Sequence, residues 1–517
     1  MTRIRRPLRA ARTLAAAALA AAVSITVTIT VAAPAQAAPS TTQPSTTQPS
    51  ALPGGTGTER VSVGPGQAQA TGASQARGLS ADGRYAVFTS EAADLVPGDT
   101  NGATDVFVRD LWTGRTERVD TGPGGVQADG PAHHAAISGD GRYVAFGSSA
   151  TNLAPGANRG YQDVYVHDRW TDETRLVSVG KAPGAPQTDR VSDVPSISWD
   201  GRYVAYQSNR SDLAPGTVTW FGGNIYVTDL WTGDTRLVSI GADGKEADAS
   251  SASPEISGDG STVVFISKAT NLIGPGRPDT LSPVAVAELR AGSDQEFAAD
   301  SLRPEARPNA RADTDSDTRP DTHADTHAEL LKPRLYPLYV RDLRTERTSL
   351  ASSAPDGGYR GAADPSISPD GRYAVYSSWI IHGDTSWDRH FEVYVRDLRQ
   401  GTETLVSVGL PGTKTTFDSY GGRLTADGRW VYFSSTAENL VPGDTNNAED
   451  VFRRDLWTGR TERVTVAGDG AQTTGSSYAP FPDAFGTSVV FTSSDSTLVP
   501  GDTNNAEDVF LRRLPLF

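Results

Sequence analysis

The feature that most limits what this chain can fold into is a repeat. An Asp-Gly dipeptide, entered and left by alternating apolar segments, recurs at Asp82, Asp140, Asp200, Asp259, Asp370 and Asp427, with a degenerate copy at Phe485-Gly486. The spacings are 58, 60, 59, 111, 57 and 58 residues. Within one unit, Ala136 to Gly180, two strand patterns flank Asp140-Gly141, a long loop follows, and two more strands meet at the turn Trp170-Thr171-Asp172. Asp-Gly between alternating apolar runs signals a tight hairpin. Four short antiparallel strands at a fixed period are the signature of a β-propeller, in which each blade buries its faces against its neighbours.

The 111-residue gap holds one Asp-Gly turn leading into an apolar strand and one "YVRDL" strand, Tyr339 to Leu343, so it reads as one unit with an insertion, 276–334. Complete units end in a "TERV"-like outer strand, as at Thr116 to Val119, Thr174 to Val177 and Thr461 to Val464. The last unit stops at Phe517, just after its third strand, and a matching segment, Thr58 to Gly64, stands at the other end of the chain. An open sheet edge invites pairing with other chains, so this segment is expected to complete the last blade. The predicted fold class is therefore all-β: a seven-bladed β-propeller of four-stranded antiparallel blades over 58–517, closed by an N-terminal strand.

The first 37 residues have a basic start (Arg3, Arg5, Arg6, Arg9, Arg12), an apolar run from Leu14 to Ala33 and a small-residue end at Ala35-Gln36-Ala37. That is the pattern of a secretory signal peptide, and a retained anchor is the alternative. Residues 38–57 form a Ser/Thr/Pro-rich spacer, expected to be disordered. Later parts of 276–334, such as "DTDSDTRPDTHADTH", lack aromatics and are expected to be disordered too. The formal charge is −15, and falls to about −20 without the leader's arginines, which argues against nucleic acid as a partner. There is no cysteine, so an exported protein of this sequence is held by packing alone.

The segments "SISPDGRYAVYSS" (Ser366 to Ser378) and "VYVRDL" (Val393 to Leu398) resemble the WD40-like, or PD40, repeat of TolB-type propellers. The resemblance covers all the units outside the insertion. It implies the propeller fold and a binding scaffold of the cell envelope. No α/β domain like the one that precedes the propeller in TolB proteins is expected here, and the repeat number is seven rather than six.

Three sets of residues could carry function. The loops "VPGDTNGATDVF" and the twice-repeated "LVPGDTNNAEDVF" offer oxygens at Asp99, Asn101 and Asp105, at Asp444, Asn446 and Asp450, and at Asp502, Asn504 and Asp508. Alternating carboxylate and amide oxygens suit calcium, while the competing reading is turn capping by Asp and Asn. The starts of the innermost strands, Gln75, His133, His134, Asp193, Asp364, Tyr420, Arg423 and Tyr478, should rim the channel mouth, the default ligand site of a propeller. Trp112, Trp170, Trp231 and Trp457 occupy one equivalent turn and are expected to be packing plugs between blades, with a carbohydrate-stacking platform as the alternative. The aspartates just before them, Asp110, Asp168, Asp229 and Asp455, and their counterparts Asp342 and Asp397, should hold that turn.

No G-x-S-x-G elbow occurs, and no catalytic residue is assigned. His133, His134, His382 and His390 could form a metal site only if blades 2 and 5 both pointed into the channel. The expected function is an exported, monomeric, non-enzymatic scaffold for an extracellular or cell-envelope protein or polysaccharide. The rival is a metal-dependent lyase or glycosidase acting on extracellular polysaccharide.

Overall fold

The computed structural model of the chain describes residues 57–156, 161–180, 191–215, 217, 222–274, 336–353, 360–381, 389–413, 415, 417–468 and 470–515. The expected leader, nearly all of the spacer, the insertion 276–334 and His382 lie outside them. Seven four-stranded antiparallel sheets form the blades of a propeller. Their innermost strands are Ser74–Leu79, Ala132–Ile137, Ser192–Ile197, Ser251–Ile256, Ala363–Ile367, Ser419–Leu424 and Ser477–Pro482. Among the described residues no helix is long and apolar enough to cross a membrane.

The closure expected from the sequence is present. Thr58–Arg60 pairs antiparallel with Asp508–Arg513, in the register Thr58 to Arg512 and Arg60 to Phe510. Val61 N–H extends the ladder to Val509 O at 2.7 Å. In blade 4, Thr262–Ser267 pairs directly with Leu338–Asp342 across the long gap in sequence.

Each blade is pinned by the same aromatic contact. A ring on the second strand stacks on a ring of the third, from Phe88 on Phe107 to Phe491 on Phe510, with centroids 5.6–6.0 Å apart in all seven blades. Such pairs contribute roughly 0.5–1.5 kcal/mol each beyond their buried area.

At four of the seven blade boundaries the plug is a tyrosine, not the expected turn tryptophan. The glycine of one Asp-Gly turn lies against the tyrosine that follows the same turn in the preceding blade: a Cβ on Gly141 would stand 2.1 Å from the Tyr85 ring, and one on Gly201 2.1 Å from Tyr143. Trp112, Trp170, Trp231 and Trp457 are 54%, 70%, 68% and 70% exposed. An exposed ring cannot fill an interface, so the packing role passes to the Tyr-on-Gly contact.

A belt of backbone hydrogen bonds runs around the axis at the level of these turns. Ala81 N–H donates to Gly139 O, Gly139 to Trp199 and Trp199 to Gly258, at 2.9–3.0 Å. Ala426 donates to Ala484, and Ala484 back to Ala81. Pro369, with no N–H to give, accepts from Asp259 and cannot pass the belt on to blade 6.

Candidate functional site

The channel is shaped by a β-bulge that every innermost strand carries. In blade 3 the register slips between Asp193 and Ser196, and equivalent slips occur at His133/Ala136 and Tyr420/Arg423. At the bulge the backbone turns to positive φ in six blades, at His134 (46°), Val194 (52°), Ser253 (51°), Asp364 (45°), Gly421 (67°) and Ala479 (52°). Outside glycine this conformation costs on the order of 1–3 kcal/mol, most plainly for β-branched Val194. The strain re-aims the strand so that its second half faces the axis.

The result is a cavity of about 370 Å³ running from the bulge to the Asp-Gly turns. Of the eight expected mouth residues, His134, Asp364 and Arg423 line it. Gln75, His133, Asp193, Tyr420 and Tyr478 do not, because they precede the bulge. Gln75 and Tyr478 are instead joined through Glu507, at 3.2 and 2.5 Å. Residues the sequence did not single out complete the lining: Arg77, Glu255, Phe481 and Trp199.

Two polar pairs organise the cavity. His134 Nδ1 lies 2.9 Å from Asp193 Oδ2 across the boundary of blades 2 and 3. Asp193 is wholly buried, and Gly147 makes room for it, since a Cβ there would stand 2.0 Å from Asp193 Oδ1. A carboxylate behind one imidazole nitrogen fixes the ring and leaves the other nitrogen free to act. The neighbouring His133, its ring 6.4 Å from that of His134, has its pKa pulled down by burial, partly opposed by Asp193. In the second pair Arg423 Nη1 lies 3.6 Å from Glu255, and its guanidinium packs over Phe481. Burial raises the Glu255 pKa, with Arg423 opposing.

His390 stands on the third strand of blade 5, buried and 3.3 Å from Glu392, away from the channel. Among the described residues no three His, Asp or Glu side chains are placed to hold a metal ion.

The Asp/Asn loops each hold an arginine beside the expected oxygens. Between the two carboxylates of each loop lies an arginine of the outer strand. Arg118 is 3.6 and 3.4 Å from Asp99 and Asp105, Arg463 is 3.1 and 3.5 Å from Asp444 and Asp450, and Arg60 is 3.1 and 3.3 Å from Asp502 and Asp508. Asn101 turns its amide nitrogen to Asp105 at 2.8 Å, while its oxygen caps Ala103 N–H. Asn446 and Asn504 repeat the arrangement. Burial pushes the Asp450 carboxyl up to about 6, against the lowering effects of Thr465, Arg463 and Asn446.

The turn aspartates are where the sequence placed them. Arg84 donates to Asp110 at 3.2 and 2.7 Å, and Asp110 accepts the N–H groups of Trp112 and Thr113. Arg142–Asp168, Arg202–Asp229 and Arg429–Asp455 are the same pair in other blades. Burial would raise Asp455, but Arg429 and two backbone N–H groups more than offset it and hold its pKa at about 2.

No family model matches the chain, and no curated protein matches it in sequence. Among solved structures it is similar in fold to an oligogalacturonate lyase from Vibrio parahaemolyticus, at 12% identity and a TM-score of 0.48, over 89% of this chain and 93% of that one. An acylaminoacyl peptidase from Pyrococcus horikoshii matches at 11% identity and a TM-score of 0.43, over 82% and 50% of the two chains. TolB from Acinetobacter baumannii matches at 13% and 0.32, over 80% and 76%. The fold itself, an all-β, seven-bladed propeller, is read from the chain's own seven four-stranded sheets.

Proposed function

We propose that this chain is an exported, monomeric binding propeller that takes an extracellular or cell-envelope polymer or protein segment into its central cavity. The observation that carries the reading is the composition of the cavity wall: separate polar pairs, His134 with Asp193 and Glu255 with Arg423, set among apolar side chains such as Leu79, Ile137, Ile197 and Phe481 and further polar ones such as Arg77 and Asp364. Such walls orient a ligand through a few placed polar groups while apolar surface supplies affinity. The cavity volume suits a peptide end or a short run of sugar units rather than a folded partner.

The test is capture from cell-envelope extract on immobilised mature protein, identification of the captured species, and titration of that purified species against His134→Ala and Arg423→Ala. The reading expects at least a tenfold loss of affinity in both variants, since truncating a buried polar contact costs about 1–3 kcal/mol. Binding unchanged in both would sink it.

A second reading rests on His134 alone, because an imidazole backed by a buried carboxylate is also how a general base is held. It makes the propeller an enzyme acting on extracellular polysaccharide. Release of new reducing ends from a soluble polysaccharide by the wild type, abolished in His134→Ala, would favour it over binding alone.

A further inference from the structure

Four indoles stand on one face of the propeller and fill no interface. Trp112, Trp170, Trp231 and Trp457 sit in the turns between third and outer strands, on the same face as the Asp-Gly turns that border the cavity. Each has one side covered by an arginine of its own blade: Arg84, Arg142, Arg202 and Arg429 lie 4.7, 4.4, 4.5 and 5.1 Å from the ring centroids. The backbone N–H of each tryptophan is held by the turn aspartate at 2.8–3.1 Å. The rings are thus oriented, yet more than half of each remains open to solvent.

Blade 5 is an internal control for a purely structural role. Its Arg372–Asp397 pair closes at 2.7 Å with Arg399 in place of the tryptophan. The ion pair and the turn form without an indole, so the turn's geometry does not account for the other four.

We propose that these four tryptophans form a docking rim for a neutral polysaccharide chain. Each guanidinium under an indole is already neutralised by its aspartate, so the platforms carry no free positive charge for an anionic polymer. A chain of formal charge −15 repels such polymers further. No blade presents more than one of these indoles, and polar turns separate them, unlike the contiguous apolar centre of a protein interface. Equivalent flat surfaces, three of them on consecutive blades, match a ligand made of repeating units, whose C–H faces stack on aromatic rings. Several weak contacts then add through effective concentration. Blades 1, 2, 3 and 6 carry the platforms, and blade 7 lies between 6 and 1, so the rim spans an arc of five consecutive blades.

The test uses the full chain with laminarin, cellohexaose, chitohexaose and, as the anionic arm, polygalacturonate, read by tryptophan fluorescence and retention in affinity gels. The expected result is a fluorescence shift and retardation with at least one neutral glycan, weakened tenfold or more in Trp170→Ala/Trp231→Ala. Melting of that variant keeps the reading honest, because a merely structural tryptophan would lower Tm without changing glycan affinity. No shift with any neutral glycan, binding only to polygalacturonate, undiminished binding in the variant, or a captured protein partner lost with these tryptophans would each overturn the proposal. Arg399→Ala, at the blade 5 position where the other blades carry the indole, is expected to leave glycan retention intact, which separates the tryptophans' role from a general disturbance of these turns.

Discussion

Ser62 Oγ donates to Asp508 Oδ1 at 2.6 Å, and so joins residues 446 positions apart. The same hydroxyl accepts Val509 N–H at 3.0 Å. One side chain of the N-terminal segment therefore satisfies a buried donor and a buried acceptor of the last blade. Ser62→Ala takes this partner from the Val509 N–H and from Asp508 Oδ1, and the expected cost is about 1–3 kcal/mol in urea unfolding. Removing 51–63 goes further, exposing the edge of Asp508–Arg513. Size-exclusion chromatography with light scattering should then show self-association, as a bare strand edge predicts. A monomer with unchanged stability would refute the closure.

Blade 1 holds an exception to this hydroxyl. Ser178, Ser239, Ser352, Ser407 and Thr465 accept the corresponding third-strand N–H in blades 2 to 6, but in blade 1 the acceptor is Asp120, to Val106 N–H at 3.1 Å. Burial, and then the charge of Asp105, raise Asp120 well above the usual carboxylate range. As a neutral acid it can donate to Asp105, as Ser62 donates to Asp508. A folded pKa raised above the unfolded value means that the folded state holds the proton longer. The contribution is complete below the unfolded pKa and is lost as pH rises through the folded one. Asp120→Ser is therefore expected to gain stability relative to wild type at alkaline pH, with the difference shrinking toward pH 4. A difference independent of pH would contradict a titrating Asp120.

The loop arginines predict calcium independence. With a guanidinium already between the carboxylates, wild-type Tm should not move between chelator and millimolar calcium. Arg463→Ala leaves Asp444 and Asp450 facing each other, a loss of about 3–5 kcal/mol for a broken buried pair. Calcium should then restore part of the loss through mass action on the folded state. A wild-type Tm that rises with calcium would show that the ion, not the arginine, completes the loop.

The repeat, the blade number and the closing strand were legible because each follows from periodicity, and periodicity survives translation into strands. The arginine at the Asp/Asn loops was missed, although variation between the repeats carries a signal for it. Where the outer strand carries Arg60, Arg118 or Arg463, its cross-strand partner is Phe510, Phe107 or Phe452. Where it carries Leu176, Leu237, Leu350 or Leu405, the partner is Tyr165, Tyr226, Tyr339 or Tyr394. Three of these tyrosines donate to the backbone carbonyls of Ala150, Arg210 and Ala269. The depth of the cavity was not legible. A bulge leaves no composition signal, being built here by His, Val, Ser, Asp, Gly and Ala alike, yet it decides that Asp364 faces the axis while Tyr420 does not. Exposure of the tryptophans was hidden for a related reason: a periodic aromatic reads the same whether its open side meets a neighbour or water.

Gly141 and Tyr85 give the sharpest measure of how tightly the blades are joined. Gly141 needs glycine twice, for its φ of 72° and because a Cβ would sit 2.1 Å from the Tyr85 ring of the preceding blade. Gly233 has a similar φ of 76° but open space around it. Left-handed backbone alone costs a non-glycine residue roughly 1–2 kcal/mol, so Gly233→Ala is expected to lose about that much. Gly141→Ala adds overpacking, typically about 1–3 kcal/mol, and should lose about twice as much. The excess belongs to the contact with Tyr85. In a double-mutant cycle, Tyr85→Ala should therefore absorb much of the Gly141→Ala penalty, giving a coupling of about 1 kcal/mol or more. Additive losses would mean that the ring moves aside without cost, and that the blades are held by the backbone belt rather than by tyrosine on glycine.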